Sequence, residues 1–334
     1  MRIIITDSYR QMGREAANMV AGQLYLKPDS ALGLATGSTP LPMYRRLIAL
    51  HRSLGLDFSE VTTFNLDEYV GMAPDNPQSY HYFMNENFFR KVNIQPDHTH
   101  LPDGMVKDLE AEGHRYDALI QQNGGIDLQV LGIGQNAHIG FNEPDVKFEA
   151  RTHCVALDEE TIRANSRFFE SPDEVPRDAI SMGIKTIMMA RRILLLANGT
   201  SKAEAVRKAV CGSVRPEAPA SILQLHRDVT VILDRAAASH LPTHIEGTKI
   251  IHKNKRQKHH LLFLSVCMYN RHSRKNYCVI VHRGETLVGG VFSPSTANGM
   301  QLRTAQNVRY WTFSSNDESR ELEHIDFVCK RKAR

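Results

Sequence analysis

Along the first 240 positions, apolar residues fall into two alternating patterns. Ile3 to Thr6, Ala31 to Ala35, Val61 to Leu66, Leu128 to Ile133, Ile193 to Ala197 and Val229 to Leu233 are short, nearly continuous apolar runs. Such runs mark strands buried on both faces of a parallel sheet. Between them, apolar residues recur at helical spacing: Met12, Ala16, Met19, Val20 and Leu24, then Met43, Leu47, Ile48 and Leu50, then Leu109, Tyr116, Leu119 and Ile120. Gly124-Gly125 ends the third helix. Glu159 to Phe169 reads as a further helix and Val175-Pro176 as a turn. Ser201 is placed to cap a last helix with apolar positions at Ala203, Val206, Ala209 and Val210. Strand-helix alternation with such short connections predicts an α/β protein, a doubly wound and mainly parallel sheet flanked by helices. Beyond Leu241-Pro242 the alternation stops. Tyr277 to His282 and Thr286 to Phe292 have strand character, but no strand-loop-helix unit recurs.

Charge sharpens that boundary. The chain has 334 residues and a net charge of +4. Residues 241–334 hold 16 Lys and Arg against 7 Asp and Glu, leaving 25 against 30 in residues 1–240. We therefore expect a catalytic-type domain over 1–242 and a poorly structured basic extension over 243–334. The extension is expected to supply no catalytic group and to be removable after Pro242 with little change in kcat/KM. Its basic run, Lys249 to His260, reads as solvated rather than as a nucleic-acid site. Cys267, His272, Cys278 and His282 lack the close cysteine pair of ordinary zinc fingers, so no metal is expected. No apolar run approaches the roughly 18 residues of a membrane span. The five scattered cysteines suit a reducing compartment. The expected location is cytoplasmic, with a homo-oligomer compatible but not specified.

Candidate chemistry sits where the strands end. After Ala31 to Ala35 comes Thr36-Gly37-Ser38-Thr39-Pro40 and then a helix, the form of a phosphate loop: glycine admits an anion close to the backbone, and the helix adds the positive end of its dipole. It lacks the Lys-Ser/Thr ending of a nucleotide P-loop, which favours a sugar phosphate. Lys202 stands at a helix start, unfavourable for the dipole unless an anion binds there, and Arg167 is a second candidate cation. Val61 to Leu66 ends in Asp67-Glu68-Tyr69, which otherwise reads as a turn. Leu128 to Ile133 empties into a loop bearing Asn136, His138, Asn142 and Glu143, with imidazole and carboxylate available for acid-base work.

Together these motifs, above all GIGQNAHIGFNEP (residues 132–144) with NLDEY (65–69), resemble the glucosamine-6-phosphate deaminase family over residues 1 to about 242. The resemblance implies conversion of glucosamine 6-phosphate to fructose 6-phosphate and ammonia without metal or organic cofactor. It implies that Asp67 shuttles a proton between C2 and C1, that His138 opens the sugar ring with Glu143 holding its tautomer, and that Asn136 orients by hydrogen bonding. Gly37, Ser38, Thr39, Arg167 and Lys202 match positions that bind the substrate phosphate. Glu68 and Tyr69 belong to the motif with no chemistry assigned. Ala137 replaces a glycine common in the family, which strains the loop if that position needs positive φ. Regulated members carry a basic pair in the stretch that is Arg151 to Val155 here; His153 and Val155 occupy those places, so no allosteric activation is expected. The alternatives are a 6-phosphogluconolactonase-like sugar-phosphate hydrolase, or a regulatory protein that senses a sugar phosphate.

Overall fold

The structure, a computed structural model, describes residues 1–166, 169, 171 and 174–253, and beyond these the backbone of five strands. β1 (Arg2–Thr6) leads into α1 (Tyr9–Leu26), whose N-cap Ser8 accepts from the Gln11 amide; Met12, Ala16, Val20 and Leu24 form its buried stripe. β2 (Ala31–Leu34) is wholly buried and precedes α2 (Leu41–Leu54), which Gly55 closes in the left-handed region at φ 66°. β3 (Thr62–Asn65), β4 (Asp67–Tyr69), α3 (Tyr80–Asn87) and β5 (Thr99–His100) follow. α4 (Leu109–Gln122) begins at the cap Asp108 and runs out into Gly124 and Gly125, both at φ 81°. The rest of the domain is β6 (Leu128–Leu131), β7 (His153–Ala156), α5 (Glu159–Asn165), β8 (Asp178–Ser181), α6 (Ile184–Met188), β9 (Ile193–Ala197), α7 (Ala203–Cys211), β10 (Val229–Asp234) and β11 (Lys249–Lys253).

Eight strands form the main sheet in the order β11-β1-β10-β9-β6-β2-β3-β5, and every neighbouring pair is parallel. Parallel strands need crossover helices, which cover both faces here. On one face α1 and α2 contribute Met12, Val20, Met43 and Leu47 to a core with Leu32, Val130 and Leu194. On the other, α4, α6 and α7 bring Tyr116, Ile187 and Val206 against Leu131, Leu195 and Val231. The doubly wound parallel sheet expected from the apolar pattern is the observed architecture. The winding runs outward from β2 through β3 to β5, then returns to β6 on the other side of β2 and continues through β9 to β10. The loops after β2 and β6 therefore leave the sheet side by side and turn opposite ways, opening a crevice beyond the strand ends.

A second, antiparallel sheet, β4-β8-β7, was not legible in the sequence. The run Val61 to Leu66 reads as one strand delivering Asp67, but the chain turns at Leu66. The Leu66 amide still donates to the Leu34 carbonyl of the main sheet, while the Leu66 carbonyl accepts from Met182 beside β8. Asp67 thus begins a strand of the small sheet, directly opposite Ser181. The helix expected over Glu159 to Phe169 ends at Asn165.

Residues 249–253 join the main sheet, beyond the expected boundary at 242. β11 pairs in parallel with β1 from Arg2↔Lys249 to Thr6↔Lys253, partly buries Ile250 and Ile251 against the two cores, and ties Lys253 to Glu15 at 2.7 Å. Of the remaining described strands, β12 (Leu264–Asn270), β13 (Lys275–His282) and β14 (Glu285–Gly289) pair with one another, as do β15 (Met300–Ala305) and β16 (Val308–Phe313). None of them joins the main sheet. The basic run 254–260 and the side chains of Cys267, His272, Cys278 and His282 lie outside the described residues. Among the described residues no helix is long and apolar enough to cross a membrane. A chain ending at Pro242 should melt below one ending at Lys253. Two half-buried isoleucines are worth about 2 kcal/mol, which lowers Tm by about 4 to 8 °C in a domain of this size; differential scanning calorimetry on the two truncations checks it.

Candidate active site

The crevice is a cavity of about 450 Å³, walled by the segments that follow β2, β4, β6 and β9. Gly37, Ser38 and Thr39, Asp67, Asn136 and His138, and Lys202 all line it, so residues far apart in sequence meet in one place. Glu143 stands behind His138. Arg167 lies outside the described residues; its neighbour Phe169 lines the cavity.

The loop after β6 holds His138 by three local devices. Glu143 Oε2 sits 3.0 Å from His138 Nδ1, and Asn136 Nδ2 donates to the same carboxylate oxygen at 2.7 Å. The Asn136 carbonyl oxygen accepts from the His138 amide at 3.2 Å, so the asparagine clamps both ends of the pair. Gly134 lies against the imidazole: a Cβ there would come within 2.5 Å of ring atoms. Burial opposes ionisation of Glu143, but the hydrogen bond and charge of His138, with Asn136, outweigh it and hold the carboxyl below its ordinary range. With Nδ1 engaged, Nε2 is the nitrogen left for proton transfer. Ala137 takes φ 72°, and among the described residues no other non-glycine residue has positive φ. The conformation its glycine counterpart would accept freely is thus retained at a cost of order 1 kcal/mol.

Asp67 is buried and faces the cavity at the start of β4. Its environment disfavours charge: burial, with the carboxylate of Glu68 adding to it, pushes the pKa up to about 8. Side chains alternate along a strand, so Glu68 points away from the cavity. Its carboxylate accepts from the backbone amides of Tyr69, Tyr80 and His81, each at 2.9 Å. Those bonds, with the Ser79 cap, hold the first turn of α3 against β4. Tyr80 stacks on Phe141 at 5.9 Å between ring centroids, and Tyr69 packs on both, giving the cavity an aromatic wall. Neither α3 nor the meeting of Tyr80 with Phe141 was expected from the sequence; the cap residue Ser79 is the signal that could have found the helix.

α2 and α7 also begin at the cavity. Neither helix start has a side-chain cap: the N-cap positions are Pro40 and Lys202. The capping role expected of Ser201 is not observed; Ser201 precedes the cap position and lines the cavity instead. Helix starts present the positive end of the dipole, the usual seat of an anion; here the Leu41, Lys202 and Ala203 amides are taken by the Ser38, Gly199 and Thr200 carbonyls. Gly37, at φ 95°, has open space where a Cβ would be. Tyr9 donates from its hydroxyl to the Ser38 carbonyl, and Tyr44 to that of Ala35 at 2.6 Å, fixing the loop from below. Gly199 donates its amide to Asp234, which secures the turn before Lys202.

A family model described as glucosamine-6-phosphate isomerases/6-phosphogluconolactonase matches residues 6–232. The chain belongs to that family. Within it, the chain is 59% identical over 239 residues to a glucosamine-6-phosphate deaminase of Halothermothrix orenii, covering 72% of this chain and 99% of that one. A solved monomeric glucosamine-6-phosphate deaminase superposes with a TM-score of 0.71 at 50% identity, over 72% of this chain and all of that one. A 6-phosphogluconolactonase from Trypanosoma cruzi shares the fold at 20% identity, TM-score 0.57, over 72% of this chain and 96% of its own. The family match spans all the cavity-forming segments, and the extension falls outside it. Gly134→Ala should displace the imidazole from Glu143 while circular dichroism stays native. NMR titration should then find the Glu143 carboxyl raised toward its ordinary value, because the partner that lowers it has moved.

Proposed function

We propose that the protein is a glucosamine-6-phosphate deaminase: it isomerises glucosamine 6-phosphate and releases ammonia, leaving fructose 6-phosphate. The observation that carries the reading is the single cavity in which a buried carboxylate, a carboxylate-oriented imidazole and two uncapped helix starts face one another.

The phosphate binds at the Thr36–Pro40 turn and Lys202, with Arg167 completing the anion site. The sugar then spans the cavity toward the loop after β6. His138 moves the proton of the anomeric hydroxyl to the ring oxygen, which opens the ring; Glu143 and Asn136 hold its tautomer and direction. Asp67 removes the proton from C2, an enolamine forms, and the same carboxyl returns a proton to C1. The resulting imine at C2 takes up water and loses ammonia. Every step is a proton transfer, an addition of water or an elimination, with no net oxidation or reduction, so the chemistry calls for no redox group. The enzyme is read as cytoplasmic, acting on a small sugar phosphate.

A lactonase has no step in which one base serves two neighbouring carbons, and Asp67 would be idle in it. A sensor without catalysis would not need His138, Glu143 and Asp67 brought into working geometry.

The deciding experiment incubates purified protein with glucosamine 6-phosphate and measures ammonia and fructose 6-phosphate; absence of both sinks the reading. Asp67→Asn should abolish deamination and C2 proton exchange with solvent while phosphate-ligand binding stays nearly intact, since the side chains are isosteric. A pH profile gives a further check. The base must be ionised, and the free-enzyme carboxyl holds its proton to about 8. After correction for ionisation of the substrate amine, kcat/KM should therefore rise with pH on a limb near 8. Bound substrate carries an ammonium that favours the ionised carboxyl, so the corresponding limb in kcat should lie at lower pH.

A further inference from the structure

We propose that Glu68 is a positioning residue of this site: it anchors the cavity wall formed by the start of α3 and places a fixed negative charge behind Asp67, so that the base is held protonated until substrate arrives. The inference rests on the reading of Asp67 as the base.

Two adjacent carboxylates share β4 but not their surroundings. Both are buried, at 6% and 4% exposure, so neither is well served by water. Burial pushes the Glu68 carboxyl up as well, but three backbone donors meet it and pull it back, since amide hydrogens stabilise the charged form, whereas burial and the charge of Glu68 both push Asp67 up. Where two like groups lie close and only one is solvated by dipoles, charge settles on that one and the other keeps its proton. Among the described residues the phenols of Tyr80 and Tyr116 sense the charge of Asp67, and Tyr80 also senses Glu68 and packs on Tyr69, the last residue of β4. Neutral phenols at working pH leave the carboxylates to set each other's protonation.

The same three bonds have a mechanical effect. Tyr80 and His81 are the first two residues of α3, and Glu68 serves them as a capping carboxylate from another element. The segment between β4 and α3, whose Pro77, Gln78 and Ser79 line the cavity, is therefore closed at both ends on one side chain. Tyr80 in turn sets the plane of Phe141, next to His138 at 6.2 Å between ring centroids. One buried carboxylate thereby links the base, the aromatic wall and the imidazole.

The test follows the carboxyl of Asp67 directly, by carbon NMR of ligand-free protein, in wild type, Glu68→Gln and Glu68→Asp, alongside kcat/KM profiles and amide exchange at Tyr80 and His81. In Glu68→Gln the titration of Asp67 should fall by about 1 pH unit, as removal of a close like charge requires. The rising limb of kcat/KM should move with it. Glu68→Asp keeps the charge one methylene further back, so the titration should stay high while protection of the Tyr80 and His81 amides drops at least tenfold. An Asp67 titration that does not move in Glu68→Gln overturns the inference about charge. Unchanged amide protection in both variants overturns the anchoring. If the Asp67 titration moves but the kcat/KM limb stays, Glu68 keeps the role proposed here and Asp67 is not the base. If Glu68→Gln does not fold, Glu68→Asp decides: protection of the Tyr80 and His81 amides that stays at the wild-type level there overturns the proposal.

Discussion

Reversal of winding between β2 and β6 is the constraint from which the rest of the site follows. In an all-parallel sheet every strand ends on the same side, so the loops that carry chemistry are collected at one edge without further arrangement. Only where successive crossovers go opposite ways do two of those loops part and leave room for a ligand. Here the parted loops are Thr36–Pro40 and 132–143, and they bring different chemistry: the positive end of a helix dipole on one side, imidazole and carboxylate on the other. The loop after β9 adds a second uncapped helix start beside the first. The small antiparallel sheet adds the remaining wall, because the chain leaves the main sheet at Leu66 and carries Asp67 over the cavity.

The carboxylates of the site show how local donors divide one residue type into distinct states. Glu143 is buried yet held below its ordinary range, since an imidazole and an amide converge on one of its oxygens. Asp67 is buried with a charged neighbour and is pushed the other way. A group kept ionised can orient a histidine; a group kept near neutrality can both take and return a proton. Pairs of titratable groups separated by environment in this manner are the mark of acid-base sites. Ala137 belongs to the same economy of strain. Its left-handed φ costs of order 1 kcal/mol, while its methyl group is fully buried among Leu131, Ile133 and Ala220. Burial of one methyl group is worth about 0.8 kcal/mol, so the loop keeps its shape at little net cost.

Much of this was legible before any coordinates. Continuous apolar runs gave β1, β2, β6, β9 and β10, because strands buried on both faces have no polar alternation to obscure them. That the Thr36–Pro40 turn, Asp67 and the His138 loop stand at strand ends was legible because glycine and acid-base residues follow the apolar runs, and one cavity gathers them. Three features were not. The turn at Leu66 looks apolar like the strand before it, and only its divided hydrogen bonds, to Leu34 on one side and Met182 on the other, reveal that the chain changes sheets. Glu68 looked idle because its partners are backbone amides that lie 12 and 13 residues ahead in the sequence. β11 was read as part of the basic run, since Lys249, His252 and Lys253 mask the paired Ile250 and Ile251. An edge strand is buried less completely than a central one, and its polar positions are the signature of an edge kept from pairing further.

That edge strand also separates stability from chemistry in the C-terminal part of the chain. Four interstrand steps lie between β11 and β6, the strand that delivers His138. At about 4.8 Å per step the distance is roughly 19 Å, so no side chain of β11 reaches the loop that follows β6. What β11 does reach is α1 and β1: Lys253 bonds Glu15, Gln11 donates to the Lys253 carbonyl, and the Lys249 amide donates to Met1. Through α1 these bonds bear on Tyr9, whose hydroxyl donates to the Ser38 carbonyl of the Thr36–Pro40 turn. The physical connection between the added strand and the cavity is therefore one helix long, and it acts on the position of the Thr36–Pro40 turn, not on Asp67 or His138.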